Sequence, residues 1–270
     1  MEYQNKTVLI SGASRGIGKA IAIRLAKAGA NIVITGKTAE AHPKLEGTIF
    51  TAADEIKQAG GGRCLAIQAD VRSEESINDV VEKTIAEFGG IDILVNNASA
   101  IGLTPAEQTE AKRLDLMNGI NFRGTFLMSK ACIPHLRKGS NPQILNLSPP
   151  INMDPKWFGQ HVAYTISKYS MSMIVIGLSE ELRPAGISVN ALWPQTTIAT
   201  AAVQNLLGGD YLIQRSRTPE IVADAAFYIL KRKETGKFYI DEEVLKEEGI
   251  NDFGKYAVNG DQELMKDLFL

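Results

Sequence analysis

The chain has 270 residues and is 44% hydrophobic, which is enough to bury the core of one large α/β domain or two small ones. Its 29 basic and 31 acidic residues leave a formal charge of −2, which excludes the basic field that binds nucleic acid or an anionic membrane. The chain lacks a leader pattern and a run of ~18 apolar residues, so we expect a cytoplasmic protein whose partners are small molecules or other subunits.

Seven short apolar runs alternate with helical stretches along the chain. They are TVLI at 7–10, NIVIT at 31–35, CLAIQ at 64–68, IDILV at 91–95, QILNL at 143–147, ISVNAL at 187–192 and KFYI at 237–240. Such runs predict a parallel sheet with helices on both faces. We therefore expect one doubly wound α/β domain, with its core over 6–240, an excursion over 38–50 and a polar tail over 241–270.

A glycine-rich loop follows the first run. Gly12, Gly16 and Gly18 have the spacing GxxxGxG and precede a helix-forming stretch. Glycines permit a tight turn and close backbone approach, while the amino end of the helix offers free N–H groups to a pyrophosphate. This context predicts a dinucleotide site, although glycines also serve ordinary turns. The other loop residues expected at this site are Ser14, Arg15 and Ile17.

The residue at the end of the second run distinguishes a site for NAD from a site for NADP. A carboxylate there would accept hydrogen bonds from the ribose 2′-OH and would repel a 2′-phosphate. The sequence reads ITGKT, so Lys37 occupies this place, and Arg15 adds a second positive charge nearby. The pattern favours NADP over NAD, with solvated surface charges as the alternative interpretation of both residues.

Tyr164 precedes Lys168 by four residues in AYTISK. Positions i and i+4 of a helix share a face, so both side chains can point into one cleft. A nearby ammonium stabilises tyrosinate and lowers the phenol pKa from its reference of about 10. Tyr164 is therefore a candidate acid/base for the proton of a carbinol oxygen. A partly buried tyrosine beside a surface lysine is the alternative.

Five motifs occur in one order along the chain: GASRGIG, Asp70 after the third run, NNAS after the fourth, then NFRG and YTISK. In this combination the chain resembles the short-chain dehydrogenase/reductase family from Lys6 to about Ile240. The resemblance implies a Rossmann-type fold in which Tyr164 is the acid/base, and Lys168 binds the nicotinamide ribose and lowers the tyrosine pKa. Asn121 would help to hold a water in a proton relay. The positions implied beside the cofactor and the central sheet are Asp70, Val71, Asn96, Asn97 and Ala98. Each asparagine taken singly could instead be a local backbone cap.

Three segments depart from the family pattern. Pro149 stands where the family carries a serine that binds the substrate oxygen, and Ser148 is the candidate substitute. Gln195 replaces the usual glycine after Pro194, and Ile198 lies near the family's cofactor-contact positions. The last strand ends in YIDEEVLKEEG, which we expect to affect the tail more than the chemistry. Together these segments are similar to one branch of the family, in which vertebrate members carry a sterol-carrier-like domain after the reductase part. We expect the reductase domain alone in this chain.

Apolar residues near the site predict a lipophilic carbonyl or alcohol, such as a fatty-acyl or sterol-like compound, and hence a role in lipid metabolism. A lid or a subunit contact is the alternative use of these residues. They are Ile151, Met153, Trp157, Phe158, Ile198, Val203, Leu206 and Leu207. The family pairs two long helices between subunits, here about 112–137 and 162–182, so the resemblance implies a homodimer or homotetramer.

Cysteine and histidine spacing gives no sign of a metal site. Cys64 and Cys132 form no CxxC pair, and His42, His135 and His161 are scattered.

The motifs taken together predict an NADP-dependent oxidoreductase, and the cysteine and histidine spacing predicts that it has no metal. Two other classes stay open, namely a cofactor-binding protein with little catalysis and a lipid-binding or assembly module on the same fold.

Overall fold

The structure is a computed structural model that describes residues 2–41, 47–60 and 63–270. Its strands are β1 Thr7–Ser11, β2 Asn31–Gly36, β3 Cys64–Gln68, β4 Ile93–Asn96, β5 Gln143–Asn146, β6 Ser188–Trp193 and β7 Phe238–Ile240. They form one parallel sheet in the order β3-β2-β1-β4-β5-β6-β7. The doubly wound sheet predicted from the apolar runs is therefore confirmed, with strand ends shifted by at most two residues.

Ten α-helices lie within the described residues. They are α1 Gly16–Lys27, α2 Ile49–Gln58, α3 Glu74–Phe88, α4 Ala111–Met117, α5 Thr125–Leu136, α6 Lys156–Gly159, α7 Val162–Glu181, α8 Gly209–Ile213, α9 Glu220–Ile229 and α10 Asp241–Glu247. A π-helical turn at Asn118–Gly124 joins α4 to α5. The long helix predicted over 112–137 is therefore continuous from Ala111 to Leu136 with a π-helical turn in its middle, and α7 matches the one predicted over 162–182.

Both faces of the sheet are covered by helices, and β1 shows how. Val8 and Ile10 belong to the core that contains α1, α2 and α9, whereas Leu9 between them belongs to the core of α3, α5 and α7. Successive strand side chains point to opposite faces, so a strand buried on both sides is apolar at every position. This explains why the strands read as unbroken apolar runs in the sequence.

The strand order changes direction at β1, which lies between β2 and β4. Chain connections leave β1 toward both edges of the sheet, so a crevice opens beyond the carboxyl ends of β1 and β4. The glycine loop follows β1 directly, and Asn97 and Ala98 follow β4. The fold therefore brings the two motifs together at the place where open α/β sheets bind ligands.

The segment after β7 is not a separate polar tail. Val244 and Leu245 of α10 are buried in the main core. Farther on, Lys266 pairs with Thr196 in an antiparallel bridge, and Phe269 is only 1% exposed. Its last residues therefore lie beside the loop that follows β6, whereas the expected small effect of YIDEEVLKEEG on the chemistry stays a prediction.

The predicted excursion over 38–50 is described only in part. Residues 42–46, which include His42, lie outside the described residues, and α2 begins at Ile49. Thr48 caps α2, because its hydroxyl accepts a hydrogen bond from Thr51 N at 3.1 Å. Across the described ranges, no helix combines the length and apolar character needed to span a bilayer.

Candidate active site

The glycines of the loop after β1 are required by backbone geometry and by close packing. Gly12 and Gly16 have φ of +67° and +58°, in the left-handed region that favours glycine. A Cβ on Gly12 would lie 2.7 Å from Ala98 Cα, and a Cβ on Gly18 would lie 2.4 Å from Asn97 Nδ2. The loop and the first residues after β4 therefore fit together only with glycine at these positions.

The loop leaves the amino end of α1 facing the crevice. Arg15 occupies the cap position with extended backbone, and its side chain makes no capping hydrogen bond to the helix. Asn97 fixes the loop from the other side, because its Nδ2 donates to Ser11 O at 3.0 Å and to Gly12 O at 2.9 Å. Uncapped first-turn N–H groups beside a fixed glycine loop suit the pyrophosphate of a dinucleotide.

A cavity of about 510 Å³, here called the glycine-loop cavity, lies against this loop. It is lined by most of the residues predicted to bind the cofactor, namely Gly12, Ser14, Arg15, Gly16, Ile17, Lys37, Asp70, Val71, Asn97 and Ala98. Gly18 does not line it and instead packs against Asn97. The residues present therefore fit the adenosine and phosphate part of a nicotinamide dinucleotide.

Charged side chains surround the far end of the glycine-loop cavity. Arg72 makes a bidentate ion pair with Asp70, with Nε and Nη2 at 3.0 and 2.6 Å from the carboxylate oxygens, and Lys37 Nζ lies 3.2 Å from the same group. The hydrogen bond from Arg72, followed by that from Lys37, holds the pKa of Asp70 well below its usual range. Arg15 Nη2 donates to Gly47 O at 2.8 Å. Lys37 and Arg15, the two cations that the sequence proposes for a 2′-phosphate, both line the cavity, and their role toward that phosphate stays a prediction.

Tyr164 and Lys168 lie one helical turn apart on α7 and line a second cavity of about 450 Å³, here called the tyrosine cavity. Pro194 and Ile198 line it too, as predicted for cofactor contacts. The residues shared with the glycine-loop cavity are Ile17, Asn97, Ser99, Thr200 and Ala202. The two cavities therefore adjoin at these residues, so one extended ligand could reach both.

Lys168 is buried against neutral groups. Its Nζ donates to Leu147 O at 2.6 Å and lies 3.4 Å from Met171 Sδ, with the ring of Trp193 centred 5.0 Å away. Burial lowers the pKa of Lys168 to about 7, against an opposing effect of the Asp267 carboxylate. Burial therefore disfavours the ammonium form of Lys168, and an anion nearby favours it.

The pKa of Tyr164 moves opposite to the sequence expectation. The side chain is 4% exposed, and burial raises its pKa, with a further increase from the Asp267 carboxylate. Helical spacing placed Lys168 on the same face but could not reveal that Lys168 is itself buried and directed at Leu147 O. Burial therefore favours the protonated form of Tyr164.

Asn121 and Ser148 do not line the tyrosine cavity. The Asn121 side chain donates to Ala100 O and Ser167 Oγ, both at 2.9 Å, and accepts from Ala100 N at 2.8 Å. Ser148 Oγ is buried and makes no hydrogen bond to the described residues. Ser148 therefore makes no described hydrogen bond to Tyr164, and both side-chain N–H groups of Asn121 are engaged in local hydrogen bonds.

The apolar wall of the tyrosine cavity differs from the predicted one. Ile198, Val203 and Leu207 line it as expected, whereas Leu206 lines the glycine-loop cavity. Residues of the loop after Pro149 do not line the cavity. Ile151, Trp157 and Phe158 pack instead in the cluster that contains Phe269, and Met153 is 68% exposed.

Sequence reasoning missed the wall contributed by the end of the chain. It consists of Met265, Lys266, Asp267 and Leu268. This stretch has no helical or strand periodicity that could have indicated contact with a distant site.

Gln195 stands where the family usually has a glycine. It is absent from the described non-glycine residues with positive φ, and its backbone is fixed from two sides. Asp241 Oδ1 accepts a hydrogen bond from Gln195 N at 2.8 Å, and Asp267 N donates to Gln195 O at 3.2 Å. The segment beyond β7 thus holds the loop that follows β6.

Comparison with known proteins agrees with this geometry. The family model for short chain dehydrogenase matches residues 6–208. Hydroxysteroid dehydrogenase-like protein 2 of Danio rerio is 59% identical over 266 residues, covering 98% of this chain and 63% of that protein, so the chain spans about 63% of this curated relative's length.

Two solved structures match nearly the whole chain. A putative dehydrogenase from Xanthomonas campestris is 48% identical with a TM-score of 0.96, covering 100% of this chain and 99% of that chain. A short chain dehydrogenase from Mycobacterium thermoresistibile is 52% identical with a TM-score of 0.93, covering 99% and 95%. The chain belongs to the short-chain dehydrogenase/reductase family.

Proposed function

We propose that the protein is an NADP-dependent oxidoreductase that interconverts a carbonyl and an alcohol. One observation carries the proposal: Tyr164 and Lys168 line a cavity that adjoins the glycine-loop cavity through shared residues. In such an enzyme the nicotinamide supplies or accepts the hydride. An acid/base placed beside that ring completes the set of groups that carbonyl reduction needs.

Tyr164 is the proposed acid/base. Its burial favours the protonated phenol, so at neutral pH it is poised to donate its proton to a substrate oxygen during reduction. Lys168 is the proposed partner, because an ammonium one turn away stabilises the tyrosinate left behind. Asn121 retains a proposed role only through its backbone, since its side-chain groups are engaged with Ala100 and Ser167.

NADP is the proposed cofactor, within a family that uses NAD or NADP. The support is the pair of cations, Lys37 and Arg15, at the end of the glycine-loop cavity. Asp70 does not oppose this assignment strongly, because Arg72 already neutralises it through a bidentate contact. A net positive rim favours a 2′-phosphate over a free 2′-OH.

A lipophilic carbonyl or alcohol is the proposed substrate class. The tyrosine cavity is walled mainly by aliphatic side chains, among them Ile101, Leu103, Val203, Leu207 and Met265. Apolar walls with a few polar groups at one end are typical of sites for small lipophilic ligands. Turnover of short polar carbonyls in preference to long-chain ones would contradict this class.

Pairing between copies of the chain is proposed for the outer faces of α5 and α7. Apolar side chains there are exposed by about half, namely Phe126 at 45%, Ile166 at 54%, Met173 at 58% and Ile176 at 52%. Covering such a face removes apolar surface from water and stabilises a homodimer or homotetramer.

The proposal is tested by titrating the purified chain with NADPH and with NADH while following nicotinamide fluorescence. The expected result is saturable binding of both, with NADPH tighter. Failure to bind either nucleotide would remove the oxidoreductase assignment. A second function, cofactor binding with little catalysis, is favoured by Pro149 and by the position of Ser148 Oγ outside the tyrosine cavity. Tight NADPH binding without turnover of any carbonyl would select it.

A further inference from the structure

The end of the chain forms one wall of the tyrosine cavity. Thr197 N donates to Met265 O at 2.9 Å, Asp267 N donates to Gln195 O at 3.2 Å, and Lys266 pairs with Thr196. These contacts align residues 265–267 antiparallel to the loop after β6. The segment is therefore held by backbone hydrogen bonds, which fix where its side chains lie.

Phe269 anchors the same segment on its other side. It is 1% exposed, and Trp193 Nε1 donates to Leu268 O at 2.9 Å just before it. The distances from its ring centroid to neighbouring rings are 5.1 Å to Tyr169, 5.7 Å to Trp157, 5.9 Å to Trp193, 6.3 Å to Tyr164 and 6.4 Å to His161. Asp267 thus lies between two fixed points and has little freedom to leave the cavity.

Asp267 brings a carboxyl group into the cavity of Tyr164 and Lys168. Burial raises the pKa of Asp267 to about 7. The hydrogen bond that its Oδ1 accepts from Leu268 N at 2.7 Å opposes this increase, the Asp241 carboxylate at the start of α10 adds to it, and Lys168 opposes it. Asp267 in turn raises the pKa of both Tyr164 and Lys168. The charged groups that act on Asp267 are Lys168 from α7 and Asp241 from α10, and Lys266 from its own segment lines the same cavity.

Lys168 needs a counter-charge that its own contacts do not supply. Its hydrogen-bond acceptors are the carbonyl of Leu147 and the thioether of Met171, both neutral. A buried ammonium beside neutral groups is costly unless an anion lies near it. Among the described residues that line the tyrosine cavity, Asp267 is the carboxylic acid.

We propose that Asp267 is a positioning residue of this site, which acts through Lys168 by keeping that side chain in its ammonium form beside Tyr164. This inference rests on the proposed function, in which Lys168 stabilises the tyrosinate of Tyr164. It adds a group from the chain end to an active site otherwise built from α7 and the sheet edge. Pro149 makes the addition more important, because a proline side chain offers no hydrogen bond to the substrate oxygen.

The proposal is tested by titrating Lys168 directly. The full chain is labelled with ¹³C at lysine Cε, and the Lys168 resonance is assigned from its loss in Lys168→Arg. The expected result is that Asp267→Asn lowers the Lys168 titration midpoint by about one pH unit, a roughly tenfold change in protonation. Asp267→Glu should restore most of the shift, and Glu263→Gln, which removes an exposed acid from the same segment, should leave it unchanged.

An Asp267→Asn midpoint equal to that of the wild type would overturn the proposal. The variant is expected to fold, because it keeps the side-chain shape and a carbonyl oxygen that can accept the hydrogen bond from Leu268 N. If it does not fold, Asp267→Ser still decides: this variant also removes the carboxylate and keeps an oxygen near Leu268 N, so it must lower the Lys168 midpoint, and an unchanged midpoint contradicts the coupling.

NADPH titration of the same samples separates the two claims. Binding by the wild type together with a shifted midpoint supports both. A midpoint shifted by Asp267→Asn without NADPH binding would remove the oxidoreductase assignment and leave the coupling of Asp267 to Lys168 standing. NADPH binding with an unshifted midpoint would remove the coupling and leave the oxidoreductase assignment standing.

Discussion

Replacing Lys37 by alanine should weaken NADPH binding selectively. Lys37 lines the glycine-loop cavity and is 59% exposed, so its attraction to a phosphate is strongly screened. Two unit charges ~4 Å apart attract by about 1 kcal/mol in water and about 4 kcal/mol at an effective dielectric constant near 20. A phosphate dianion doubles the attraction energy calculated for water. The ion pair between Lys37 and Asp70 at 3.2 Å, which the substitution also removes, offsets part of that energy.

These terms leave about 1–2 kcal/mol, which is a roughly 5- to 30-fold increase in the Kd of NADPH. NADH lacks the 2′-phosphate, so its Kd should change by less than about twofold. Fluorescence titration of the wild type and of Lys37→Ala measures both values. Lys83→Ala is the matched control, because Lys83 is 57% exposed and pairs with Asp79 at 2.8 Å. It lies on α3 and lines neither the glycine-loop cavity nor the tyrosine cavity. Equal loss of NADPH and NADH affinity, or no loss of either, would refute the reasoning.

Three further predictions concern the chain end, the pH dependence of stability and assembly. Phe269→Ala removes a buried ring and should cost roughly 3–5 kcal/mol of local stability, which should appear as faster proteolysis of the last residues. Phe269→Leu should cost much less, and equal proteolysis rates for the two variants would contradict this packing. Burial raises the folded-state pKa of Asp241 to about 6, above its unfolded value of about 3.9, so its contribution to stability grows as pH falls from about 7 toward 4. Urea unfolding at both ends of this range should show that Asp241→Asn flattens the trend, and an unchanged pH slope would argue against the assignment. Ile176→Glu on the exposed face of α7 should convert an oligomer to monomers in sedimentation, while a wild type that is already monomeric would exclude pairing.

The sheet and the glycine loop could be predicted from the sequence because their causes are local. Val8, Leu9 and Ile10 are all buried, so β1 reads as an unbroken apolar run. Gly12 and Gly16 need positive φ, so their spacing alone carries information about the backbone of the loop. Helical spacing likewise placed Tyr164 and Lys168 on one face of α7.

The electrostatics of the site could not be predicted in the same way. Their cause is burial by residues far away in the sequence. Trp193 donates a hydrogen bond to Leu268 O, 75 residues later in the chain, and Asp267 raises the pKa of Tyr164. No local pattern near Tyr164 indicates that its pKa rises. The substrate wall was misplaced for a related reason, because Trp157 and Phe158 pack in the Phe269 cluster instead of lining the cavity.

Hydride transfer to a carbonyl tests the central claim most directly. NADPH carrying deuterium on either face of nicotinamide C4 would be incubated with a panel of long-chain and steroidal ketones and aldehydes, and the alcohols analysed by mass spectrometry. The account predicts deuterium on the carbinol carbon with the wild-type chain and at least a ~100-fold loss with Tyr164→Phe, which removes the proposed proton donor. NADPH that binds without passing deuterium to any carbonyl, or equal transfer by Tyr164→Phe, would contradict it.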